Sequence, residues 1–255
     1  FPEISEMKDL KHIFFDLDHT LWDFDANSKA ALKELWIELV RRDLRHFDPF
    51  YRTYVEINDR LWDEYGRGTV TKEELRSRRF REALRAHGMD DPDLSVVLET
   101  RYVAEAPDYP HLMPGALDVL EGIRQQGLKI HILTNGFKET QTRKVRTTGL
   151  DRHIDSLITA EEAGYWKPDV RIFHFAMDRT GARVQDSIMI GDHPERDVLG
   201  ARRLGMSQIL VDTHDKYKKA ESTHRVRQLL EILPILGIGT SASARSTSAK
   251  ARPKR

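Results

Sequence analysis

The sequence predicts an α/β protein with a doubly wound, mainly parallel sheet and an inserted all-helical domain. Short apolar runs alternate with helical patterns from about residue 112 onward, and several helical segments are followed by a glycine. A stretch near the N-terminus departs from this alternation and carries helical patterns only. Alternating strands and helices are typical of a parallel sheet that is covered on both faces. The helical stretch after the first strand is therefore predicted to be an insertion into that sheet.

Apolar runs predict the strands of the sheet. The first is KHIFFD at residues 11–16. The others are LKIHILTN (128–135), DSLIT (155–159), SIMIGD (187–192) and SQILVD (207–212). Helical segments are predicted near residues 115–126, 138–148, 169–180 and 196–204. A glycine just after a helix is a common C-terminal signal, and it occurs here as Gly127, Gly149, Gly181 and Gly205.

The insertion has its own helical signals. Apolar residues at helical spacing from residue 32 to residue 40 predict a first helix, with Asn27 and Ser28 as its N-terminal cap. Further helices are predicted around residues 51–65, after Thr71 and around residues 94–102, and Thr71 with Glu74 forms a capping-box pattern. We therefore expect an α/β core at residues 8–24 and 108–235, a helical cap at 25–107, and a disordered, basic, Ser/Ala-rich tail at 236–255.

The composition is typical of a soluble globular protein. Of 255 residues, 39% are apolar and 32% are charged, and the 41 basic residues balance the 41 acidic ones, which argues against a nucleic acid polymer as partner. The absence of cysteine excludes disulfides, thiolate catalysis and cysteine-based zinc sites. No apolar run approaches the roughly 20 residues of a membrane span, so we expect a cytoplasmic protein without membrane contact. The sequence leaves both monomer and homodimer open.

Polar residues stand where several predicted strands end. In a doubly wound sheet, ligands bind outside the carboxyl ends of the strands, so these residues are expected to share one crevice. Taken singly, each motif is more often structural, because Asp and Thr frequently cap helices or turns and a single lysine is usually a solvated surface residue. Together and in this order, they indicate a catalytic site. The residues are Asp16, Asp18, Thr134, Asn135, Lys167, Asp192 and Asp197.

Four motifs in this order resemble those of the haloacid dehalogenase-like (HAD) hydrolase superfamily. DLDHT resembles the first motif, LTNG the second, KP the third and GDHPERD the fourth. The resemblance implies a Rossmann-like core and a C1-type helical cap inserted between the first two motifs. The longer run FDLDHTLWDFDANS resembles the pyrimidine 5′-nucleotidase branch more than other branches.

The two aspartates of the first motif are predicted to perform phosphoryl transfer. Asp16 would be the nucleophile and form an aspartyl-phosphate intermediate. Asp18 would protonate the leaving alcohol and then activate water, which suits a carboxyl whose pKa is raised by nearby carboxylates. Dehalogenases resemble the motif at the nucleophile but lack this second carboxyl, so Asp18 favours phosphate ester chemistry.

The remaining motifs are predicted to bind Mg²⁺ and the phosphate group. Asp16, Asp192 and Asp197 would provide the carboxylate oxygens that Mg²⁺ prefers, and the resemblance implies the backbone carbonyl of Asp18 as a further ligand. The phosphate oxygens would be held by Thr134, Asn135 and Lys167, and the lysine would also neutralise charge. His19 and His193 lie inside motifs and are interpreted as lining the site at most.

The predicted function is Mg²⁺-dependent hydrolysis of a phosphate monoester, with a pyrimidine nucleoside monophosphate as the substrate that the resemblance favours. A phosphatase for a sugar or another phosphate ester, a phosphomutase and a non-catalytic binding module remain alternatives. The cap is rich in aromatic residues, which could stack on a nucleobase, although their spacing is more typical of packing between the cap helices. These residues are Trp36, Phe47, Phe50, Tyr51, Tyr54, Trp62 and Tyr65.

Overall fold

Six parallel strands form a single sheet in the computed structural model, which describes residues 9–41 and 43–239. The strands are β1 (His12–Phe15), β2 (Lys129–Thr134), β3 (Ser156–Thr159), β4 (Ser187–Gly191), β5 (Ser207–Val211) and β6 (His224–Val226). Their order is β3-β2-β1-β4-β5-β6, so β1 lies between β2 and β4 at the centre. Strands β2 and β3 lie on one side of β1, and β4, β5 and β6 lie on the other. The strand order therefore reverses at β1, and in such sheets ligands bind at the carboxyl ends of the strands where the order reverses. The predicted α/β fold class and its parallel sheet are confirmed.

A helical insert connects β1 to β2. It contains α1 (Phe24–Leu35), α2 (Phe47–Gly66), α3 (Lys72–Ala86) and α4 (Pro92–Glu105). A π-helical turn, Trp36–Val40, continues α1. At the start of α3, the Thr71 hydroxyl accepts a hydrogen bond from the Glu74 backbone N–H at 3.1 Å, and the Glu74 carboxylate accepts one from the Thr71 N–H at 2.7 Å. The predicted capping box is therefore present.

The other helices cover the sheet. They are α5 (Ala116–Gln125), α6 (Lys138–Thr147), α7 (Ala160–Ala163), α8 (Val170–Thr180), α9 (Gly200–Arg202) and α10 (Ile232–Ile235). Side chains alternate between the two faces of a strand, and β1 shows this directly. Ile13 and Phe15 pack with α5 in one hydrophobic cluster, while Phe14 packs with Phe173 of α8 in another. Both faces of the central strand are thus buried, as a parallel sheet requires.

The helical insert has a hydrophobic core of its own. Trp36, Tyr54 and Phe80 are each at most 1% exposed and lie in one cluster with other aromatic and aliphatic residues of the insert. Packing rather than ligand stacking therefore accounts for the aromatics from Trp36 to Tyr54. Trp62 and Tyr65 differ, because both contact the ring of Phe137 in the sheet domain, with centroids 5.0 and 5.5 Å away.

The two segments that connect the insert to the sheet are bonded to each other. The Trp22 indole N–H donates to the Tyr109 carbonyl at 3.1 Å. The Asn27 amide donates to the His111 carbonyl at 2.8 Å and accepts from the His111 N–H at 3.0 Å. The expectation that Asn27 caps the first helix was therefore wrong. Asp23 is the N-cap, and its carboxylate accepts a hydrogen bond from the Ala26 N–H at 2.9 Å.

The strand β6 and the end of the chain were not anticipated. Strand β6 has three residues, His224–Val226, too few to form a recognisable apolar run. The expected tail began at residue 236, but Ile238 is buried in the same cluster as Ile13, so the packed chain continues beyond α10. The rest of the expected tail, residues 240–255, lies outside the described residues. Within the described residues, none of the helices has both the length and the apolar character needed to cross a membrane.

His131 makes the stability of the sheet dependent on pH. The residue is 3% exposed, and its ring nitrogens lie 3.0 Å from the His12 ring and 2.8 Å from the Ser156 hydroxyl. The ring stacks on that of His12 and is tilted by 35° against that of Phe14. Burial, with a smaller contribution from His12, lowers the pKa of His131 to about 4, although Asp155 opposes this shift. Between about pH 6.5 and pH 4 the unfolded chain therefore binds a proton at this position that the folded chain does not.

Acidification is expected to lower the free energy of unfolding in this range, by up to about 3 kcal/mol through His131. Urea denaturation of wild type and His131→Gln at pH 7 and pH 4.5 measures this contribution. The variant should lose less stability than the wild type between the two pH values. The matched control is His174→Gln on the exposed face of α8, which should retain the wild-type loss. Equal losses in wild type and His131→Gln would contradict the prediction.

Candidate active site

The predicted site residues converge on one cleft. Asp16 follows β1, Thr134 ends β2 and Asp192 follows β4, so the three carboxyl ends of neighbouring strands meet here. The cleft lies between the sheet and the helical insert and is partly open to solvent. Every residue predicted for catalysis, phosphate binding or metal binding lines it: Asp16, Asp18, Thr134, Asn135, Lys167, Asp192 and Asp197.

Lys167 is buried between two of the carboxylates. Its ammonium lies 2.7 Å from Asp16 Oδ1 and 2.6 Å from Asp197 Oδ1, and the residue is 3% exposed. Burial alone would lower the pKa of Lys167, but Asp16 and Asp197 together raise it above its usual value. The lysine therefore remains charged at neutral pH and supplies the positive charge that the paired aspartates of the first motif require.

Asn135 holds the loop that carries Lys167. Its side-chain oxygen accepts a hydrogen bond from the Lys167 backbone N–H at 2.8 Å, and its Nδ2 donates to the Lys167 carbonyl at 3.0 Å. The sequence did not indicate this supporting role. Because Nδ2 carries a second hydrogen, a contact of Asn135 with a phosphate oxygen stays a prediction.

Asp16, Asp192 and Asp197 form a cluster that could hold a metal ion. One carboxylate oxygen from each lies within 4.8 Å of the others. Burial raises the pKa of Asp192 to about 7, and the negative charge of Asp197 adds to this shift. Burial also raises the pKa of Asp16 to about 7, with Lys167 opposing and Asp197 and Asp192 adding to the shift. These raised pKa values reflect burial and a repulsion among the carboxylates that one ammonium does not offset, so a divalent cation with oxygen ligands fits this donor set.

The position of Asp197 depends on a glycine at the end of β4. A Cβ atom on Gly191 would lie 2.3 Å from Asp197 Oδ2, so only glycine allows this approach. Asp197 lies in a π-helical turn, Pro194–Leu199, and accepts a hydrogen bond from the His193 N–H at 3.0 Å. His193 caps this turn, and its Nδ1 accepts from the N–H groups of Glu195 and Arg196 at 3.2 Å each. His193 thus has a structural role and also lines the cleft.

Asp18 is held by two side chains that the sequence analysis missed. Lys144 Nζ lies 2.6 Å from Asp18 Oδ1, and Gln141 Nε2 lies 2.8 Å from Asp18 Oδ2. Burial would raise the pKa of Asp18, but the charge of Lys144 and the hydrogen bonds from Lys144 and Gln141 lower it below its usual value. The expectation that neighbouring carboxylates raise this pKa was therefore wrong. The predicted contact of the Asp18 carbonyl with a metal stays a prediction.

The composition of α6 was the available signal for Gln141 and Lys144. The helix reads KETQTRKVRT and has a single aliphatic residue, Val145, on the side that packs inward. Gln141 and Lys144 share that side, and both are buried. When the face of a helix that packs on a sheet carries polar residues, that face is expected to contact a polar site rather than the hydrophobic core.

The helical insert forms the opposite wall of the cleft. Ion pairs connect it to the sheet domain: Lys72 lies 3.2 Å from Glu139 and 2.9 Å from Glu161, and Arg76 lies 2.8 Å from Glu139. The Lys72 ammonium also lies 4.2 Å from the centre of the Phe137 ring. The insert contributes both polar and aromatic side chains to the cleft, namely Asn58, Asp59, Trp62, Arg76, Arg79 and Tyr102.

The chain is similar in sequence to a known protein family and to known enzymes. A model of the haloacid dehalogenase-like hydrolases matches residues 10–205. The pyrimidine 5′-nucleotidase YjjG of Escherichia coli K12 is 28% identical over 227 residues, which cover 86% of this chain and 96% of YjjG. The ribulose-1,5-bisphosphate 5-phosphatase of Halopiger xanaduensis is 31% identical over 217 residues, covering 84% of this chain and 89% of that enzyme.

A solved structure of the HAD-hydrolase YfnB from Bacillus subtilis, bound to magnesium, has a similar fold. The TM-score is 0.82 at 27% identity, and the match covers 91% of this chain and 100% of YfnB. The YfnB structure reveals interdomain movement in that protein. The similarity extends over the sheet and the helical insert together, since it spans nearly the whole described chain.

Mg²⁺ is expected to stabilise the folded chain through the Asp16–Asp192–Asp197 cluster. At 100 times its dissociation constant, a ligand of the folded state alone adds about 2.7 kcal/mol, which corresponds to a rise in Tm of about 5–10 °C. Thermal unfolding with Mg²⁺ and with a chelator measures the rise.

Asp192→Asn should abolish most of this rise. In chelator, the variant should unfold at a higher temperature than the wild type, because one of three mutually repelling carboxylates is removed. Asp151→Asn, a surface control, should show the full rise. A full rise in Asp192→Asn would place the Mg²⁺ site elsewhere.

Proposed function

The chain belongs to the haloacid dehalogenase-like hydrolase family, and from this premise we propose that it is a phosphatase, specifically a 5′-nucleotidase that hydrolyses pyrimidine nucleoside monophosphates with Mg²⁺. The observation that carries the phosphatase mechanism is the arrangement of Asp16 and Asp18 at the end of β1. One carboxylate contacts the buried Lys167 and the other contacts Lys144, so the two acids stand in different electrostatic environments. Two carboxyls with different environments can take different roles in one reaction.

In the first step, an Asp16 oxygen attacks the phosphorus atom of the ester. The bond between phosphorus and the leaving oxygen breaks, a bond between Asp16 and phosphorus forms, and Asp18 donates its proton to the leaving alcohol. Lys167 offsets negative charge on Asp16 and on the phosphoryl oxygens. Lys144 favours the ionised form of Asp18 in the free site, while the negative charge of an entering phosphate opposes Lys144 and favours the proton that Asp18 needs.

In the second step, the Asp18 carboxylate takes a proton from a water molecule. The water oxygen attacks phosphorus, the bond to Asp16 breaks, and inorganic phosphate leaves with both catalytic carboxyls restored. Thr134 and Asn135 are the proposed donors to the phosphate oxygens. When bound by Asp16, Asp192 and Asp197, Mg²⁺ would supply positive charge that stabilises the phosphoryl oxygens.

Two observations support a nucleotide as substrate. The chain is similar to YjjG over nearly the full length of both proteins, helical insert included. Aromatic side chains from both walls of the cleft line it, among them Phe24, Trp62 and Phe137. A nucleobase can stack on such rings, and stacking contributes about 1–3 kcal/mol per base in sites of this kind.

A phosphorylated sugar is a second candidate substrate. The relative from Halopiger xanaduensis acts on ribulose 1,5-bisphosphate and is 31% identical, slightly more than YjjG. Arg76 and Asp59 could bind sugar hydroxyls from the insert side of the cleft. Relatives of similar identity thus act on different phosphate esters.

Asp16→Asn is expected to lower kcat by at least about 10³-fold, because the amide keeps the shape of the side chain but is not a nucleophile. Release of phosphate from p-nitrophenyl phosphate in the presence of Mg²⁺ measures the change. Thermal unfolding should show a folded variant, and the surface control Asp118→Asn should keep full activity. Phosphate release at a near wild-type rate by Asp16→Asn would exclude Asp16 as the nucleophile.

Nucleoside monophosphates are expected to be better substrates than sugar phosphates. UMP and dTMP should exceed ribose 5-phosphate in kcat/KM by about 10-fold or more, which is the gain that one stacked base provides. A panel of pyrimidine and purine monophosphates and sugar phosphates, ranked by kcat/KM, provides the test. A preference for ribose 5-phosphate would favour the second candidate. Interconversion of a sugar phosphate without release of phosphate would instead indicate a phosphomutase.

A further inference from the structure

We propose that Lys144 and Gln141 are positioning residues that fix the Asp18 carboxyl for proton transfer to the leaving oxygen. The proposal rests on the phosphatase mechanism given above, in which Asp18 is the general acid and base. In this role Lys144 and Gln141 act on the reaction through Asp18.

Both oxygens of Asp18 are held from one rigid element. Lys144 contacts Oδ1 at 2.6 Å and Gln141 contacts Oδ2 at 2.8 Å. The two donors are three residues apart in α6, so they lie on the same side of the helix, about one turn apart. Two contacts from one helix fix the rotation of the carboxyl group as well as its position. General acid catalysis requires such control, because the acid must lie within hydrogen-bond reach of the oxygen it protonates.

Lys144 forms a buried ion pair rather than a surface one. The residue is 5% exposed, and its ammonium lies 4.0 Å from the centre of the Trp22 ring and 5.7 Å from that of Phe24. Within the part of the chain that the structure describes, Asp18 is its carboxylate partner. Buried ion pairs can often be replaced by apolar residues without loss of stability. Stability alone therefore does not explain a lysine at this position, whereas control of Asp18 does.

Gln141 connects Asp18 to the loop that follows β2. Its Nε2 also donates to the Thr134 hydroxyl at 2.8 Å, so both amide hydrogens are engaged and the orientation of the amide is fixed. Its Oε1 is buried and has no hydrogen-bond partner among the described residues. An unpaired buried acceptor is unfavourable, and such groups are uncommon outside functional sites. The amide is therefore oriented so that Nε2 donates to Asp18 and Thr134, and this orientation leaves Oε1 without a partner.

The dependence of the rate on the leaving group distinguishes positioning of the acid from a purely structural role. The leaving group of p-nitrophenyl phosphate departs without a proton, whereas the alcohol of an alkyl phosphate needs one. The test uses kcat/KM, which reports the steps through departure of the leaving group, because the later attack of water needs Asp18 for both esters. If Asp18 is misplaced, kcat/KM should fall for the alkyl ester and change little for the aryl ester. For Lys144→Met and Gln141→Met, kcat/KM for UMP should fall by about 10²-fold, and that for p-nitrophenyl phosphate by less than about 5-fold. Ribose 5-phosphate replaces UMP if the substrate panel favours it.

Asp18→Asn and Arg146→Met are the reference variants. Asp18→Asn removes the acid itself and should show the same selective loss on the alkyl ester. Arg146→Met introduces the same side chain at an exposed position of α6 and should leave both rates unchanged. If Lys144→Met fails to fold, Gln141→Met alone tests the proposal. This variant is expected to fold, because it replaces a neutral side chain with one of similar length and leaves no buried charge unpaired by its own change.

The outcomes separate this proposal from the mechanism on which it rests. A selective loss in all three site variants supports both. A selective loss in Asp18→Asn, combined with equal losses on both substrates in Lys144→Met and Gln141→Met, overturns the positioning role and leaves the mechanism standing. Equal losses on both substrates in Asp18→Asn remove Asp18 as the acid and overturn both.

Discussion

The concentration of negative charge at the carboxyl end of β1 is the constraint on which the rest of the site depends. Asp16, Asp192 and Asp197 come together because three neighbouring parallel strands end at one edge of the sheet. Their repulsion is tolerated because the buried ammonium of Lys167 bonds to Asp16 and Asp197. The surrounding structure maintains this contact, since Asn135 holds the backbone of Lys167 through two hydrogen bonds. A site with this excess of carboxylates is suited to a divalent cation and to a phosphate group together.

Two lysines make the neighbouring aspartates chemically different. Asp16 shares Lys167 with Asp197, and burial together with the other carboxylates raises its pKa to about 7. Burial acts on Asp18 in the same direction, but Lys144 and two hydrogen bonds lower its pKa. Neighbours in sequence thus differ in their tendency to hold a proton. These directions hold for the site without a cation or a phosphate group. The proposed roles require Asp16 ionised and Asp18 protonated, which a divalent cation beside Asp16 and the negative charge of a phosphate group beside Asp18 would favour.

Much of the fold and the site could be predicted because local patterns specify them. Apolar runs predicted β1 to β5, and the rule that ligands bind at strand ends predicted that Asp16, Thr134 and Asp192 share one cleft. What could not be predicted depends on tertiary contacts. Asn27 has the composition of a helix cap, yet it bonds to His111, which is 84 residues away along the chain. The pKa of Asp18 depends on Lys144, whose place on the inner face of α6 follows from how that helix packs on the sheet.

Close packing also couples positions that an evolutionary comparison would treat as independent. A Cβ atom on Gly136 would lie 2.3 Å from the Gln141 amide nitrogen, and one on Gly191 would lie 2.3 Å from an Asp197 oxygen. In each pair, the polar side chain fills the space that a Cβ atom on the glycine would need. Substitutions at 136 and 141 are therefore expected to occur together across homologues, as are those at 191 and 197. A side chain at either glycine is expected only where residue 141 or 197 has also changed, because a Cβ atom added at the glycine alone would overlap the polar side chain.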